Sequence, residues 1–124
     1  FLDMAWHTRT EPFGGDVIAF EKEAWKQTVI VPEVTGTLMS SSFGHIFSGG
    51  YSAGYYGYKW AEVLDADAFS VFKETGIFNR ETARSFRENI LSKGGTEDPA
   101  ILYRRFRGKD AEIGALLKRN GIIR

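Results

Sequence analysis

The chain has 124 residues, room for a single modest core or one piece of a larger domain, and too few for two catalytic lobes. Its 16 basic and 16 acidic residues cancel, so no overall positive field exists to hold nucleic acid or an anionic membrane. Cysteine is absent, which excludes disulfides, thiolate zinc sites and cysteine nucleophiles and fits a reducing, cytoplasmic setting. No run reaches the roughly 18 apolar residues a membrane span needs. Phe1 opens the chain without a basic and apolar leader pattern, so the chain reads as a cut piece. Charge is uneven: residues 1–62 carry 4 basic and 7 acidic groups, residues 63–124 carry 12 and 9. Ordinary solvated helix faces account for this imbalance.

In chain order, Asp16 is an N-cap for a first helix over 16–31, with Val17, Phe20 and Ala24 on one face and Pro32 as the stop. Residues 34–54 are rich in Gly, Ser and Thr, yet their Leu, Met and Phe argue for an ordered loop rather than a disordered linker. A long second helix is expected from Ser52 to Glu74, where Tyr56, Trp60, Leu64, Ala68 and Phe72 recur at helical spacing. Asn79 opens a third, with Ala83, Phe86 and Ile90 inward and Gly94 as its left-handed C-terminal residue. Thr96 or Asp98 caps a fourth, with Pro99 in its first turn, a core of Ile101, Leu102 and Phe106, and an end at Gly108. Asp110 begins a last short helix with Ile113, Leu116 and Leu117, stopped by Gly121. No segment alternates as a strand does. The expected fold is all-α, about five helices with an ordered Gly/Tyr-rich loop. The second helix is aromatic on more than one side, as suits a helix buried in something larger or lining a cavity.

Most self-contained catalytic templates fail. A nucleophilic triad needs a base near Ser or Thr, and only His7 and His45 are available, with no nucleophile motif around the serines. A metallopeptidase zinc site needs two histidines at i and i+4, and these lie 38 apart. The glycines 49, 50, 54 and 57 match neither a phosphate loop nor a dinucleotide fingerprint.

Residues 43–60, FGHIFSGGYSAGYYGYKW, are different. Gly49 and Gly50 allow positive φ or a hinge. If the second helix starts near Ser52, Tyr55 and Tyr58 share a face at i, i+3, with Tyr51 just before them. A tyrosine hydroxyl donates a hydrogen bond at neutral pH without carrying charge, which suits a developing oxyanion or a peptide carbonyl. His45 adds a further donor. Spacing alone leaves a second reading open, in which these tyrosines are core aromatics whose hydroxyls reach the surface or a buried partner.

The run SFGHIFSGGYSAGYYGYKWAEVLDADAFSVF, followed by GIFN, FRENIL, KGGTEDP, RRFRG and ALLKRNGI and preceded by FLDMAWHT and DVIAFEKEA, resembles the end of the thimet oligopeptidase family of zinc metallopeptidases, particularly its bacterial oligopeptidase A and peptidyl-dipeptidase branch. The resemblance covers essentially the whole chain. It implies a mostly helical enzyme with a deep channel that cleaves short peptides rather than folded proteins. Zinc in such enzymes is held by an HExxH helix and a downstream glutamate. That signature is missing here, so the chain resembles a C-terminal segment of the catalytic domain, with the zinc ligands outside it, no metal ligand within it, and no activity in isolation. By the same resemblance, Tyr58 and Tyr51 stabilise the tetrahedral intermediate, Tyr55 and His45 face substrate, and Gly49 and Gly50 are the loop's flexible glycines. His45 and Tyr51 are six apart, as in the bacterial branch. The implied partners are short peptides and the remainder of the same domain.

Other residues read more plainly. His7 is a satisfied core or helix-end histidine, and Trp6, Trp25 and Trp60 are core. Asp65 and Asp67 lie about 200° apart on a helix, too divergent for an acid/base dyad, so at least one should cap or pair with a cation. Arg104, Arg105 and Arg107 could form a local anion site, but read more plainly as a solvated face or as ion pairs to the rest of the peptidase domain. Two rival readings remain at this level: a non-catalytic helical module whose aromatic loop grips a peptide or partner helix, and self-association of the segment through apolar surface exposed by cutting it from its domain.

Overall fold

Asp16, Asn79 and Asp98 each turn a short polar side chain onto the free N–H groups of a helix start, and these caps punctuate a chain that is all-α, without strands. The computed structural model describes residues 1–124. Its helices are α1 (Leu2–His7), α2 (Val17–Trp25), α3 (Gly44–Phe47), α4 (Gly57–Thr75), α5 (Arg80–Phe86), α6 (Pro99–Arg107) and α7 (Gly114–Arg119). They fall into two units, Phe1–Gly57 and Tyr58–Arg124.

In the first unit α1 and α2 meet around Trp6, whose ring lies 5.0 Å from Phe13, 4.3 Å from Phe20 and 5.9 Å from Phe47. Its indole N–H donates to the Ser40 hydroxyl at 2.8 Å, so the polar edge of the ring is satisfied while its faces pack. Helix α1 was not foreseen. Helix α2 ends at Trp25, six residues short of the expected 31, because Thr28, Val29, Ile30 and Val31 form a β-branched run that resists helical rotamers. The Thr28 N–H and hydroxyl both turn back to the Trp25 carbonyl and close the helix. Buried Glu21 then orders the following loop by accepting from the backbone N–H of Met39 and of Ser40.

In the second unit Phe72, Phe86 and Phe106 pack ring to ring, 5.1–6.3 Å between centroids, and join α4, α5 and α6. Beyond Phe86 the helix widens into a π turn, Arg87–Leu91. Asn89 explains the widening: its side-chain amide donates to the Ser85 carbonyl at 2.9 Å, taking the acceptor its own N–H would use in an α-helix. Gly94 and Gly108 adopt left-handed φ of 52° and 80°, as expected for residues that end helices. Asp98, not Thr96, caps α6.

The same unit holds a buried polar knot. Asp67, 2% exposed, accepts from the Tyr103 hydroxyl at 2.7 Å and from the Arg107 Nε at 3.1 Å. Burial, reinforced by the neighbouring carboxylate, pushes the Tyr103 phenol far above its ordinary value and keeps it a donor. Asp65 pairs with Arg119, Arg104 with Asp110 and Arg105 with Glu97, so both aspartates and all three arginines are in ion pairs. Five core expectations fail. Tyr56 and Trp60 are 68% and 58% exposed, and Ala83, Ile101 and Ile113 are also exposed, while Leu102 and Leu116 carry the burial on their helices. The last helix starts at Gly114 rather than Asp110.

Candidate functional site

The Gly- and Tyr-rich stretch is closed by its own backbone. Helix α3 is pinned by Ile46, which is fully buried. The Tyr51 N–H donates to the His45 carbonyl at 3.1 Å, and the Ser52 hydroxyl to the Ile46 carbonyl at 2.7 Å, so the chain doubles back after five intervening residues. Gly49 sits inside that fold. A Cβ there would lie 2.9 Å from the His45 Cα and 3.0 Å from its carbonyl oxygen, closer than real side chains come. Gly50 has φ +78°, the left-handed region where glycine carries no steric penalty. Each glycine thus answers a local steric demand.

Two further turns follow, the Gly54 N–H to the Tyr51 carbonyl at 2.9 Å and the Gly57 N–H to the Gly54 carbonyl at 3.0 Å. Helix α4 begins only at Gly57, five residues after the expected start at Ser52. Tyr51 and Tyr55 therefore precede the helix, and the face expected to be shared by Tyr55 and Tyr58 does not form, since only Tyr58 is helical. Two features stop helix propagation backwards: Ala53 holds φ +55°, and the N–H groups of Ala53 and Tyr55 are taken by a side chain from far away in sequence.

That side chain is Asp3, 6% exposed. Its Oδ1 accepts from the Ala53 N–H at 2.8 Å and its Oδ2 from the Tyr55 N–H at 2.9 Å. The His7 Nδ1 lies 2.9 Å from Oδ1, one helical turn along α1. Burial works against the charged carboxylate, but the two backbone donors and His7 outweigh it and hold its pKa below the ordinary 3.8. Sequence reasoning left His7 as a core or helix-end histidine, of which the structure shows the helix end, and missed Asp3. The available signal was the i, i+4 spacing of Asp3 and His7 in an otherwise apolar segment.

The turn gathers three of the expected residues. The His45 ring lies 5.6 Å from that of Tyr51 and 5.8 Å from that of Tyr55, and Tyr55 meets Phe43 edge-on at 4.7 Å. Tyr51 and Tyr55 are 39% and 36% exposed, so neither is sealed in a core. Tyr58 occupies the first turn of α4 and is 45% exposed. Nowhere do three or more His, Asp or Glu side chains come together in a way that could hold a metal ion. His7 has its Nδ1 committed to Asp3. The residues of this chain do not make a zinc site. No helix is long and apolar enough to cross a membrane.

The model of peptidase family M3 matches residues 1–122. Oligopeptidase A of Escherichia coli is 47% identical over 122 residues, which cover 98% of this chain and 18% of that protein. Oligopeptidase A of Salmonella typhimurium has the same identity and coverage. Dipeptidyl carboxypeptidase of Escherichia coli is 42% identical over 123 residues, again 98% of this chain and 18% of the relative. The chain therefore spans under a fifth of the length of these curated relatives.

Proposed function

The chain belongs to peptidase family M3, and on that premise we propose that residues 1–124 form the substrate-facing, C-terminal segment of the catalytic domain of a zinc metallopeptidase that hydrolyses peptide bonds in short oligopeptides. In this reading the hydroxyls of Tyr58 and Tyr51 donate hydrogen bonds to the scissile carbonyl oxygen as it becomes tetrahedral and gathers negative charge. A phenol suits this role because it donates while neutral and leaves no buried charge when the site is empty. Tyr55 and His45 line the substrate side of the same turn, and Gly49 and Gly50 give that turn its shape. The metal's ligands belong outside residues 1–124, so these residues alone are expected to be inactive. The segment's own part is to grip the peptide and stabilise the oxyanion. A cytoplasmic site of action accords with the absence of cysteine.

The observation that supports the reading best is the grouping of His45, Tyr51 and Tyr55, partly exposed, on one backbone-locked turn of a chain from a peptidase family. Relatives bear the names oligopeptidase A and dipeptidyl carboxypeptidase, so internal cleavage and dipeptide release are both within the proposed range. Tyr58→Phe in the full-length protein tests the mechanism. Losing one oxyanion donor costs about 10²- to 10³-fold in kcat, with KM little changed, in steady-state kinetics on a short peptide. A near-normal kcat removes Tyr58 from the mechanism.

A further inference from the structure

We infer that Asp3 is a positioning residue for the tyrosine turn: acting through the N–H groups of Ala53 and Tyr55, its carboxylate sets where Tyr51 and Tyr55 present their hydroxyls. The inference rests on the proposed substrate-facing role of that turn.

Asp3 is distant in sequence from the tyrosines, 50 residues before Ala53 and 52 before Tyr55, yet its two oxygens take one N–H each. A left-handed residue inside consecutive turns aims neighbouring N–H groups at a common point, the arrangement by which backbone nests bind anions. Here the left-handed residue is Ala53, and the anion is the Asp3 carboxylate. A residue with a side chain holds such a φ only when its surroundings impose it. Tyr51 is tied to this geometry because its carbonyl accepts from Gly54 within the turn and its N–H is fixed to His45. Tyr55 is tied directly, since its own N–H is one of the two that Asp3 holds. His7 keeps Oδ1 in place from the next turn of α1. Only the carboxylate can serve: an asparagine of the same size offers one acceptor and turns an NH₂ toward the second N–H, and an alanine offers none.

The test is a double-mutant cycle in the full-length protein, using Asp3→Asn, Tyr51→Phe and the pair, with kcat and KM on a short peptide and melting temperature recorded for each. Asp3→Asn is expected to lower kcat about 10- to 100-fold with a smaller change in KM, the scale of an ångström-sized misplacement. In the Tyr51→Phe background the same change should cost less than about 3-fold, because the group it positions is already gone. A merely structural Asp3 would instead give losses that multiply in full, and that result overturns the inference. Normal kcat in Asp3→Asn beside an impaired Tyr51→Phe overturns it as well and leaves the functional reading standing. Normal kcat in Tyr51→Phe overturns the role of Tyr51 and the inference built on it. If Asp3→Asn does not accumulate as folded protein, Asp3→Glu enters the same cycle: it keeps both acceptors but moves them by one methylene, and the same comparison of losses decides.

Discussion

Asp3 in the first unit and Asp67 in the second are both buried carboxylates, but they are neutralised by different kinds of partner. Asp3 takes two backbone N–H groups from an irregular turn, with the His7 imidazole beside it, whereas Asp67 takes only side chains, a phenol and a guanidinium from α6. The difference follows from secondary structure. A helix spends its own N–H groups on its own carbonyls, so a carboxylate buried among helices must find side chains. An irregular turn leaves N–H groups over, and one carboxylate can then set the path of several residues. The tyrosine turn should for that reason be controlled by a single remote side chain. In the second unit the helix positions are also held by the phenylalanine contacts, and the polar knot adds to an arrangement already specified by apolar packing.

The strongest way to break the contrast is Asp67→Ala. It strands the Arg107 guanidinium and the Tyr103 hydroxyl together, and removing one member of a buried pair typically costs about 3–5 kcal/mol. Urea unfolding of the full-length protein should show a lowered midpoint for the transition that includes this segment. A loss below about 1 kcal/mol would mean that the phenylalanine cluster holds α4 to α6 without it.

Acidification separates the two units next. The pKa of Asp3 is depressed, so its contribution to stability is present above the ordinary 3.8 and is lost as pH falls through the lower folded value. The melting temperature of the native protein should therefore fall more steeply between about pH 5 and pH 2 than that of Asp3→Asn, which has no carboxylate to protonate. Parallel slopes would show that Asp3 gains nothing from its two backbone donors and His7.

The smallest effect belongs to the surface. Glu97 meets Arg105 at 2.8 and 2.6 Å in a two-pronged pair, and that contact holds its carboxyl below the usual range. Both side chains remain solvated, so Glu97→Gln should shift the melting temperature less than either change above. Any shift should vanish at about 1 M salt, where the screening length falls to about 3 Å. A shift that persists in salt would place this pair with the buried knot.

How much could be read before folding differs along the chain. The caps at Asp16, Asn79 and Asp98 and the terminating Gly94 and Gly108 were legible because each acts on residues within one helical turn. The residues of the candidate turn were legible as well, His45, Gly49, Gly50, Tyr51 and Tyr55 standing close together in an unusual Gly- and Tyr-rich run. The true start of α4 was not, because the groups that delay it come from Asp3, at the other end of the first unit. Trp60 and Ile101 recur at helical spacing as core residues do, yet periodicity says only which side of a helix a residue occupies, not whether anything covers that side.

Local chemistry, carried by neighbours in the chain, was therefore settled by the amino-acid order: an all-α chain, where most helices begin and end, and which short run bears the histidine and the phenols. Tertiary structure alone decided the partners of Asp3, Glu21 and Asp67. A buried charge can be satisfied by any donor the fold brings within reach, and reach in space is not encoded by distance along the chain.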